Sequence, residues 1–214
     1  MAKKNSSSKA DNTKKTAPKE KTESQKKRSE KSQIISGILL LLIALFLFSA
    51  FFSFLFNAEA DQSKLQGKWL ELIKNPEIEV DNLTGKTGAW IANVFINQWF
   101  GLASFFFIYL LVLYALKLFR LKISKPVLRT IKSLLSILWI SIAFGFIFSR
   151  FYDTWSVYPG GMFGYHIAMW MKSLIGGVGM FFLLLATLFI YIVIVFDKAL
   201  DWFRTVPKLL FSSK

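Results

Sequence analysis

The sequence contains no cysteine and only one histidine, His166. The missing thiols exclude disulfide frameworks, thiolate-bound metals and cysteine nucleophiles, and a single imidazole argues against a histidine-ligated metal. Negative charge is also scarce, since 13 acidic residues stand against 27 basic ones and give a net charge of +14. The sequence therefore predicts no metal site and no thiol chemistry, and its positive charge points to an anionic partner.

Apolar residues, by contrast, make up 54% of the chain, and 23 residues are phenylalanine. They form four long runs, none of which contains an acid. A bilayer core about 30 Å thick needs ~20 apolar residues in a helix. Backbone amides that face lipid must be paired within their own segment, which favours helices. The predicted fold class is an all-α integral membrane protein with four transmembrane helices.

The four runs divide the chain into nine predicted segments. These are a disordered basic cytoplasmic tail (1–33), the first span (34–56), an extracytoplasmic loop (57–96), the second span (97–118), a basic cytoplasmic loop (119–131), the third span (132–148), an extracytoplasmic Gly-rich turn with an interfacial or re-entrant helix (149–173), the fourth span (174–196) and the start of a cytoplasmic linker (197–214). A short helix is expected near residues 66–73. An amphipathic interfacial helix from Gly88 is expected to lead into the second span.

Basic residues alternate between these segments. The five segments outside the membrane, with their flanking residues, hold 11, 4, 6, 2 and 4 Lys and Arg in chain order. Because cytoplasmic segments are enriched in Lys and Arg, both termini and the middle loop are predicted to be cytoplasmic. The basic residues that set the orientation of the middle loop are Lys117, Arg120, Lys122, Lys125, Arg129 and Lys132.

Two features of the amino-terminal region have competing interpretations. Ala58-Glu59-Ala60 resembles a signal-peptide cleavage site, but the preceding apolar run of 23 residues exceeds the roughly 7–15 residues of a signal peptide. A retained helix is therefore favoured. The basic tail is interpreted first as a topology signal, then as a segment attracted to anionic lipid, and last as a non-specific DNA contact.

The remaining polar motifs favour structural interpretations. Gly85-Lys86-Thr87 resembles the end of a phosphate-binding loop, but Val80 occupies the place of its first glycine and no buried strand precedes it. A turn is the favoured interpretation. His166 and Lys172 are expected at the interface, and spans without acids argue against proton-driven transport.

Glycines cluster around the start of the fourth span. The first group is Gly160, Gly161 and Gly164, and the second is Gly176, Gly177 and Gly179. Small residues let helices approach closely in lipid and also interrupt helices, so close packing and a re-entrant break both remain open. Ser141 and Gly145 are interpreted as ordinary small-residue contacts of the third span.

Two sequence blocks carry a resemblance to a known family. The first block is Asn82-x-x-Gly85-x-x-Gly88-Ala89-Trp90, continuing to Gly101, and the second combines the two glycine groups. In this order and position they resemble the four-helix N-terminal membrane domain of the FtsK/SpoIIIE DNA translocases, over about residues 30–200. The resemblance implies a homo-hexameric, ATP-driven DNA pump of chromosome segregation, anchored in the inner membrane at the division septum and in contact with other cell-division proteins.

The motor and the DNA-reading domain of that family are absent from this sequence. ATP and Mg are therefore expected only for the motor, and no catalytic, cofactor or metal site is expected here. A fragment of a longer protein is favoured over a stand-alone relative. Two other functions remain open, namely a stand-alone structural protein of the division or envelope machinery and a small transporter or channel subunit.

Overall fold

The computed structural model describes residues 23–65 and 69–196, and the regular structure within these ranges is helical. In chain order it comprises α1 (Glu23–Leu65), α2 (Trp69–Lys74), α3 (Gly85–Ala92), a π-helical segment (Asn93–Phe100), a 3-10 turn (Gly101–Ser104), α4 (Phe105–Leu118), α5 (Pro126–Ile147), a second 3-10 turn (Ser149–Phe151) and α6 (Gly161–Val195). Four helical stretches are long and apolar enough to cross a membrane. The predicted all-α fold with four spans is confirmed.

The spanning helices form two antiparallel hairpins, α1 with α4 and α5 with α6. In the first hairpin the ring of Phe119, just after α4, lies against Gly37 of α1. The hairpins meet where α4 contacts α5, and there the hydroxyls of Tyr114 and Thr130 share a hydrogen bond of 2.8 Å. Both contacts lie near the start of α1, the end of α4 and the start of α5. We call this end of the bundle the basic end.

Large apolar side chains cover the outside of the bundle. Leu45 of α1 is 63% exposed and Phe182 of α6 is 60% exposed, whereas small residues such as Ala50 and Ala115 are fully buried. Such a surface would be an aggregation hazard in water. In lipid it is the expected pattern, because close van der Waals packing of small residues drives helix association there.

Polar side chains connect α5 to α6 in a ladder through the apolar region. Lys132 Nζ donates to the Val195 carbonyl at 3.0 Å, and Trp139 Nε1 donates to Thr187 Oγ1 at 3.2 Å. Between them, Tyr191 donates to Ser136 Oγ at 2.9 Å and its ring stacks on Trp139. The rungs fix the antiparallel register of the two helices, since a shift by one residue would leave polar groups unpaired in lipid.

The helix that contains the predicted first span is longer than the span at both ends. Helix α1 begins at Glu23 and ends at Leu65, so residues 23–33 of the predicted disordered tail and 57–65 of the predicted loop are helical. An established helix propagates at little cost per residue, and Lys, Arg, Gln and Glu are good helix formers. An ion pair of 3.0 Å between Glu30 and Arg120 also ties the basic part of α1 to the end of α4.

The helices that contain the other predicted spans also begin or end at residues other than the span boundaries. Helix α5 begins at Pro126, six residues before the predicted span, because proline suits the first turn of a helix. The predicted second span is regular only from Phe105. The predicted turn helix and fourth span form one helical stretch that Gly176 interrupts. The short helix expected near residues 66–73 is α2, Trp69–Lys74. The predicted tail before residue 23 and the predicted linker from 197 lie outside the described residues.

The ladder between α5 and α6 can be tested at the rung between Trp139 and Thr187. Thr187→Val keeps the shape of the side chain but removes the acceptor of Trp139 Nε1. We expect the free energy of unfolding to fall by about 1 kcal/mol, the size of an interhelical hydrogen bond in a membrane protein. Thermal unfolding of the purified chain in detergent micelles measures this change. Tyr109→Phe, on the exposed side of α4, is the control, and equal shifts in the two variants would contradict the ladder.

Candidate functional site

The residues of the two sequence blocks form two clusters at the end of the bundle away from the basic end. The first is the Asn82 loop, residues 81–84, which lies along α1. The second is the glycine junction, made of Gly101, Gly145, Gly160, Gly161 and Gly164. The glycines of the second group, from Gly176 to Gly179, belong to neither cluster.

Asn82 is 4% exposed and joins its loop to the helix backbone of α1. Its Nδ2 donates to the Ala50 carbonyl at 2.9 Å, and its Oδ1 accepts from the backbone N–H and the hydroxyl of Thr84. Ser53 Oγ accepts from the Leu83 N–H at 2.9 Å. One asparagine thus satisfies buried groups on both sides of the contact, which an apolar side chain could not do.

Asp61 holds the start of the same loop. Its Oδ1 accepts the Asp81 N–H at 2.8 Å, and Lys64 lies 3.6 Å from the same oxygen. Asn57 Nδ2 donates to the Asp81 carbonyl at 3.1 Å. Asp61 is 1% exposed, and it lies on the part of α1 that extends beyond the predicted span. The additional turns of α1 therefore provide the surface to which the loop binds.

Helix α3 follows this loop and packs its small residues against α1. Gly88 and Ala89 are buried, and a Cβ on Gly88 would collide with the Thr84 hydroxyl. Gly85 begins the helix at a φ of +67° with open space around it, so its role is in the turn. Trp90 packs on Trp69 of α2, with ring centroids 4.8 Å apart. Trp90 therefore joins α3 to α2 through this ring contact.

Lys86 distinguishes this turn from a phosphate-binding loop. Its Nζ donates to the Asn75 carbonyl at 2.6 Å, so the ammonium group is engaged with the protein's own backbone. Residues 77–81, which precede the turn, form no strand. The structure agrees with the interpretation of Gly85-Lys86-Thr87 as a turn.

Backbone meets backbone at the glycine junction. A Cβ on Gly164 or Gly160 would collide with the carbonyl oxygen of Ser141 on α5, and one on Gly145 would collide with the backbone of Gly164. The Ser141 hydroxyl donates to the Gly160 carbonyl at 2.6 Å. Ser141 and Gly145 therefore make the small-residue contacts that the sequence suggested, and these contacts are part of the site.

Gly101 and Gly161 require glycine for a second reason. They have φ values of +66° and +64°, which side chains disfavour. A Cβ on Gly101 would collide with the Pro159 carbonyl, and one on Gly161 with the Trp99 carbonyl. The Leu102 N–H donates to the Pro159 carbonyl at 2.8 Å. The break between the π-helical segment and α4 is thus paired within the protein, as irregular backbone at membrane depth must be.

Asn97 and Tyr152 fasten the junction to its neighbours, and the sequence did not single them out as site residues. Asn97 Nδ2 donates to the Ser156 carbonyl at 2.9 Å, and its Oδ1 accepts the Tyr158 N–H at 2.9 Å. Tyr152 donates to the Gly161 carbonyl at 2.8 Å and stacks on Tyr165. An asparagine inside an apolar run was the available signal for the first, because polar groups in spans usually form interhelical bonds.

Burial raises the pKa of the Tyr152 phenol above its ordinary value, and the neighbouring Tyr165 and Tyr158 act in the same direction. The phenol therefore remains a neutral hydrogen-bond donor at physiological pH. Its role in the junction is structural, since a proton donor to the Gly161 carbonyl is what the turn requires.

Gly176, Gly177 and Gly179 lie away from the junction. Gly176 has a φ of +74° and interrupts α6, and no atom lies within 4 Å of a Cβ built on it. A Cβ on Gly177 would make only an ordinary contact with Lys172, at 3.8 Å. Of the two interpretations of these glycines, the structure supports a break in the helix.

The basic residues that were predicted to set the orientation lie together at the basic end. Lys117 and Arg120 end α4, Lys125 precedes α5 with a φ of +48°, and Arg129 and Lys132 lie in its first turns. Lys122 is exposed in the connecting loop. The structure therefore brings them to the same end as the basic start of α1.

The described ranges, 23–65 and 69–196, were not predicted to hold a catalytic or metal site. These ranges hold no group of three or more His, Asp or Glu side chains that could bind a metal ion. His166 is exposed on α6. The two clusters join helices through hydrogen bonds and close contacts, so their arrangement supports assembly of the membrane domain.

Comparison with protein families matches residues 30–209 to the 4TM region of DNA translocase FtsK/SpoIIIE. The chain belongs to the FtsK/SpoIIIE 4TM family. The match covers both clusters and all four spanning helices, and the 4TM region is the membrane part of this family of division and chromosome proteins. The chain is thus a multi-pass membrane protein. No curated protein and no solved structure matches it in the corresponding comparisons.

The glycine junction of this 4TM domain can be tested with paired glycine substitutions. Gly164→Ala places a methyl group against the Ser141 carbonyl, and overpacking of this kind costs about 1–3 kcal/mol. We expect a lower midpoint of thermal unfolding in detergent micelles. Gly177→Ala is the control, because its methyl group has space and alanine favours helix by about 0.5–1 kcal/mol. Equal midpoints for Gly164→Ala and the unchanged chain would contradict the close contact.

The Asn82 loop yields a separate prediction. Asn82→Leu is similar in volume but leaves the Thr84 N–H without its acceptor, and a buried unsatisfied group costs about 1–3 kcal/mol. We expect residues 81–84 to detach from α1, which limited proteolysis of the purified chain would detect as faster cleavage between α2 and α3. Leu83→Asn, at a side chain 79% exposed, should leave the cleavage rate unchanged. Cleavage at the same rate in both variants would argue against the role of Asn82.

Proposed function

We propose that this chain is the membrane-anchoring and septum-targeting domain of an ATP-driven DNA translocase that acts in bacterial cell division and chromosome segregation. The observation that carries the proposal is the family match over residues 30–209. The architecture supports it, because the two clusters use their polar groups to join helices. Anchoring requires a rigid, correctly inserted bundle.

The distribution of charge supports an orientation with the basic end in the cytoplasm of a bacterial inner membrane. Basic residues of α1, α4 and α5 converge there, and short cytoplasmic segments are enriched in Lys and Arg. The predicted linker from residue 197 would leave α6 at that same end. ATP, Mg and DNA would be bound by the motor on the cytoplasmic side, and this domain would need no cofactor of its own.

The break at Gly176 supports an assignment of membrane depth. A backbone interruption exposed to hydrocarbon costs several kcal/mol for each unpaired group, and Gly176 is exposed on the surface of the bundle. We therefore place Gly176 in the polar interface. The remaining helix, 177–195, is about 28 Å long at about 1.5 Å per residue, which matches a hydrocarbon core of about 30 Å. Gly164 contacts Ser141, which lies two residues from Trp139, the partner of Thr187 in the middle of this helix. Residues 161–175 would therefore run from within the membrane out to the extracytoplasmic interface at Gly176.

The extracytoplasmic face would carry the Asn82 loop, α2 and α3, with the glycine junction beneath them in the bundle. Such a structured surface, which the loops of a simple anchor would not need, suits contact with other cell-division proteins. Oligomerisation would come from the motor, which is a hexamer in this family, with the exposed apolar faces of the spans free to meet lipid or neighbouring copies.

Localisation tests the targeting role. A fusion of the chain to a fluorescent protein, expressed at native level in a dividing bacterium, should concentrate at mid-cell. A Gly164→Ala fusion should fade from mid-cell because the face that it supports is misassembled, whereas Gly177→Ala should behave as the unchanged chain does. Uniform membrane fluorescence of the unchanged fusion would remove the support for targeting and leave only the anchor.

Accessibility tests the orientation. Because the chain has no cysteine, single cysteines can be introduced at the exposed residues Glu79, Lys122 and Ser173. A membrane-impermeant maleimide should label Glu79→Cys and Ser173→Cys in intact spheroplasts, and Lys122→Cys only after permeabilisation. Labelling of Lys122→Cys from outside would reverse the orientation, and protection of Ser173→Cys would place the break at Gly176 inside the membrane.

A further inference from the structure

A groove with a cavity volume of about 680 Å³ lies between α1 and α4 at the basic end. One part of its wall is apolar and the other is polar. The apolar residues are Leu40, Leu111 and Leu118, and the polar ones are Gln33, Lys117 and Arg120. Both helices contribute to both parts. The groove therefore changes from apolar to cationic in the direction in which a bilayer changes from hydrocarbon to headgroups.

The polar part continues along α1. A second cavity of about 550 Å³ shares Gln33 and is bordered by Arg28, Ser29 and Ser32. These side chains line one cavity because α1 is helical in this region, before the start of its apolar run at Ile34. The continuous helix therefore extends the groove beyond the hydrocarbon into the headgroup layer.

The cations of the groove are held in place by the protein. Lys117 Nζ lies 5.8 Å from the centroid of the Tyr114 ring, and the Tyr114 hydroxyl is fixed by Thr130. Arg120 has a φ of +64° at the end of α4 and pairs with Glu30 at 3.0 Å. Arg28, Lys117 and Arg120 together outnumber the one acid beside them, so the polar part keeps a net positive charge.

We propose that this groove binds one anionic phospholipid of the surrounding leaflet, with its phosphate between Lys117 and Arg120 and an acyl chain along Leu40 and Leu111. Charge complementarity selects the headgroup, since a zwitterionic lipid would bring its own cation towards Arg28 and Arg120. The apolar wall selects a lipid over free phosphate. The proposal goes beyond the anchoring role and would hold whether or not the domain reaches the septum.

Native mass spectrometry of the purified full chain tests the proposal. The chain is exchanged into detergent that contains equal amounts of phosphatidylglycerol and phosphatidylcholine, and bound lipids are counted. We expect one phosphatidylglycerol to be retained in preference. The double variant Lys117→Gln with Arg120→Gln should lose about tenfold in affinity, given that each basic residue near an anionic surface contributes roughly fivefold and that Glu30 offsets part of this.

Two further variants separate a defined site from diffuse attraction. Lys122→Gln with Lys125→Gln removes the same charge from the same loop at residues outside the groove wall, and should retain the lipid. Glu30→Gln removes the acid beside Arg120 and should tighten binding by about fivefold. Equal losses in the two double variants would overturn the proposal, as would weaker binding in Glu30→Gln.

The apolar wall provides an independent test. Leu40→Trp fills the groove without changing its charge, and should displace the retained phosphatidylglycerol. The midpoint of thermal unfolding should remain equal to that of the unchanged chain. Inorganic phosphate added in place of the lipid should not bind. Retention of the lipid in a folded Leu40→Trp variant, or stoichiometric binding of phosphate alone, would overturn the proposal.

Discussion

The direct contact of backbone with backbone at the glycine junction is the constraint on which the rest of the bundle depends. Ser141 and Gly145 of α5, Gly101 before α4, and Gly160, Gly161 and Gly164 around the start of α6 lie so close together that a Cβ on any of these glycines would collide with backbone atoms. Through this contact the α5–α6 hairpin is joined to the irregular segment that feeds α4. Because α4 packs on α1, the position of the first hairpin also follows from it.

Hydropathy was sufficient to predict the class of the fold, since hydrocarbon-length runs such as Ile34–Phe56 leave few alternatives to helices in lipid. It could not predict where helices end in water. The extension of α1 from Phe56 to Leu65 depends on a partner that is distant in sequence, since Asn57 and Asp61 both bond the backbone of Asp81. The same holds at the other end, where Glu30 meets Arg120.

The candidate site was predictable in composition but not in arrangement. Family resemblance identified the glycines, and small-residue chemistry explained why they might pack or break. The position of each glycine in the fold decides between packing and breaking. A Cβ on Gly164 would collide with α5, whereas one on Gly176 would have no atom within 4 Å. Asn97 and Tyr152 were missed, and the hydrogen bond of Ser141 was not foreseen, because a single hydroxyl or amide in an apolar run shows its partner only after folding.

The length of α1 has a mechanical consequence. Its 43 residues form a rod of about 64 Å, at about 1.5 Å per residue, roughly twice the thickness of the hydrocarbon that it crosses. A rod of that length acts as a lever. A tilt of about 10° displaces one end sideways relative to the other by about 11 Å, given this length. The Asn82 loop is bonded to one end of α1 and Arg120 to the other. A displacement of α1 at one membrane surface would therefore be transmitted to the opposite surface.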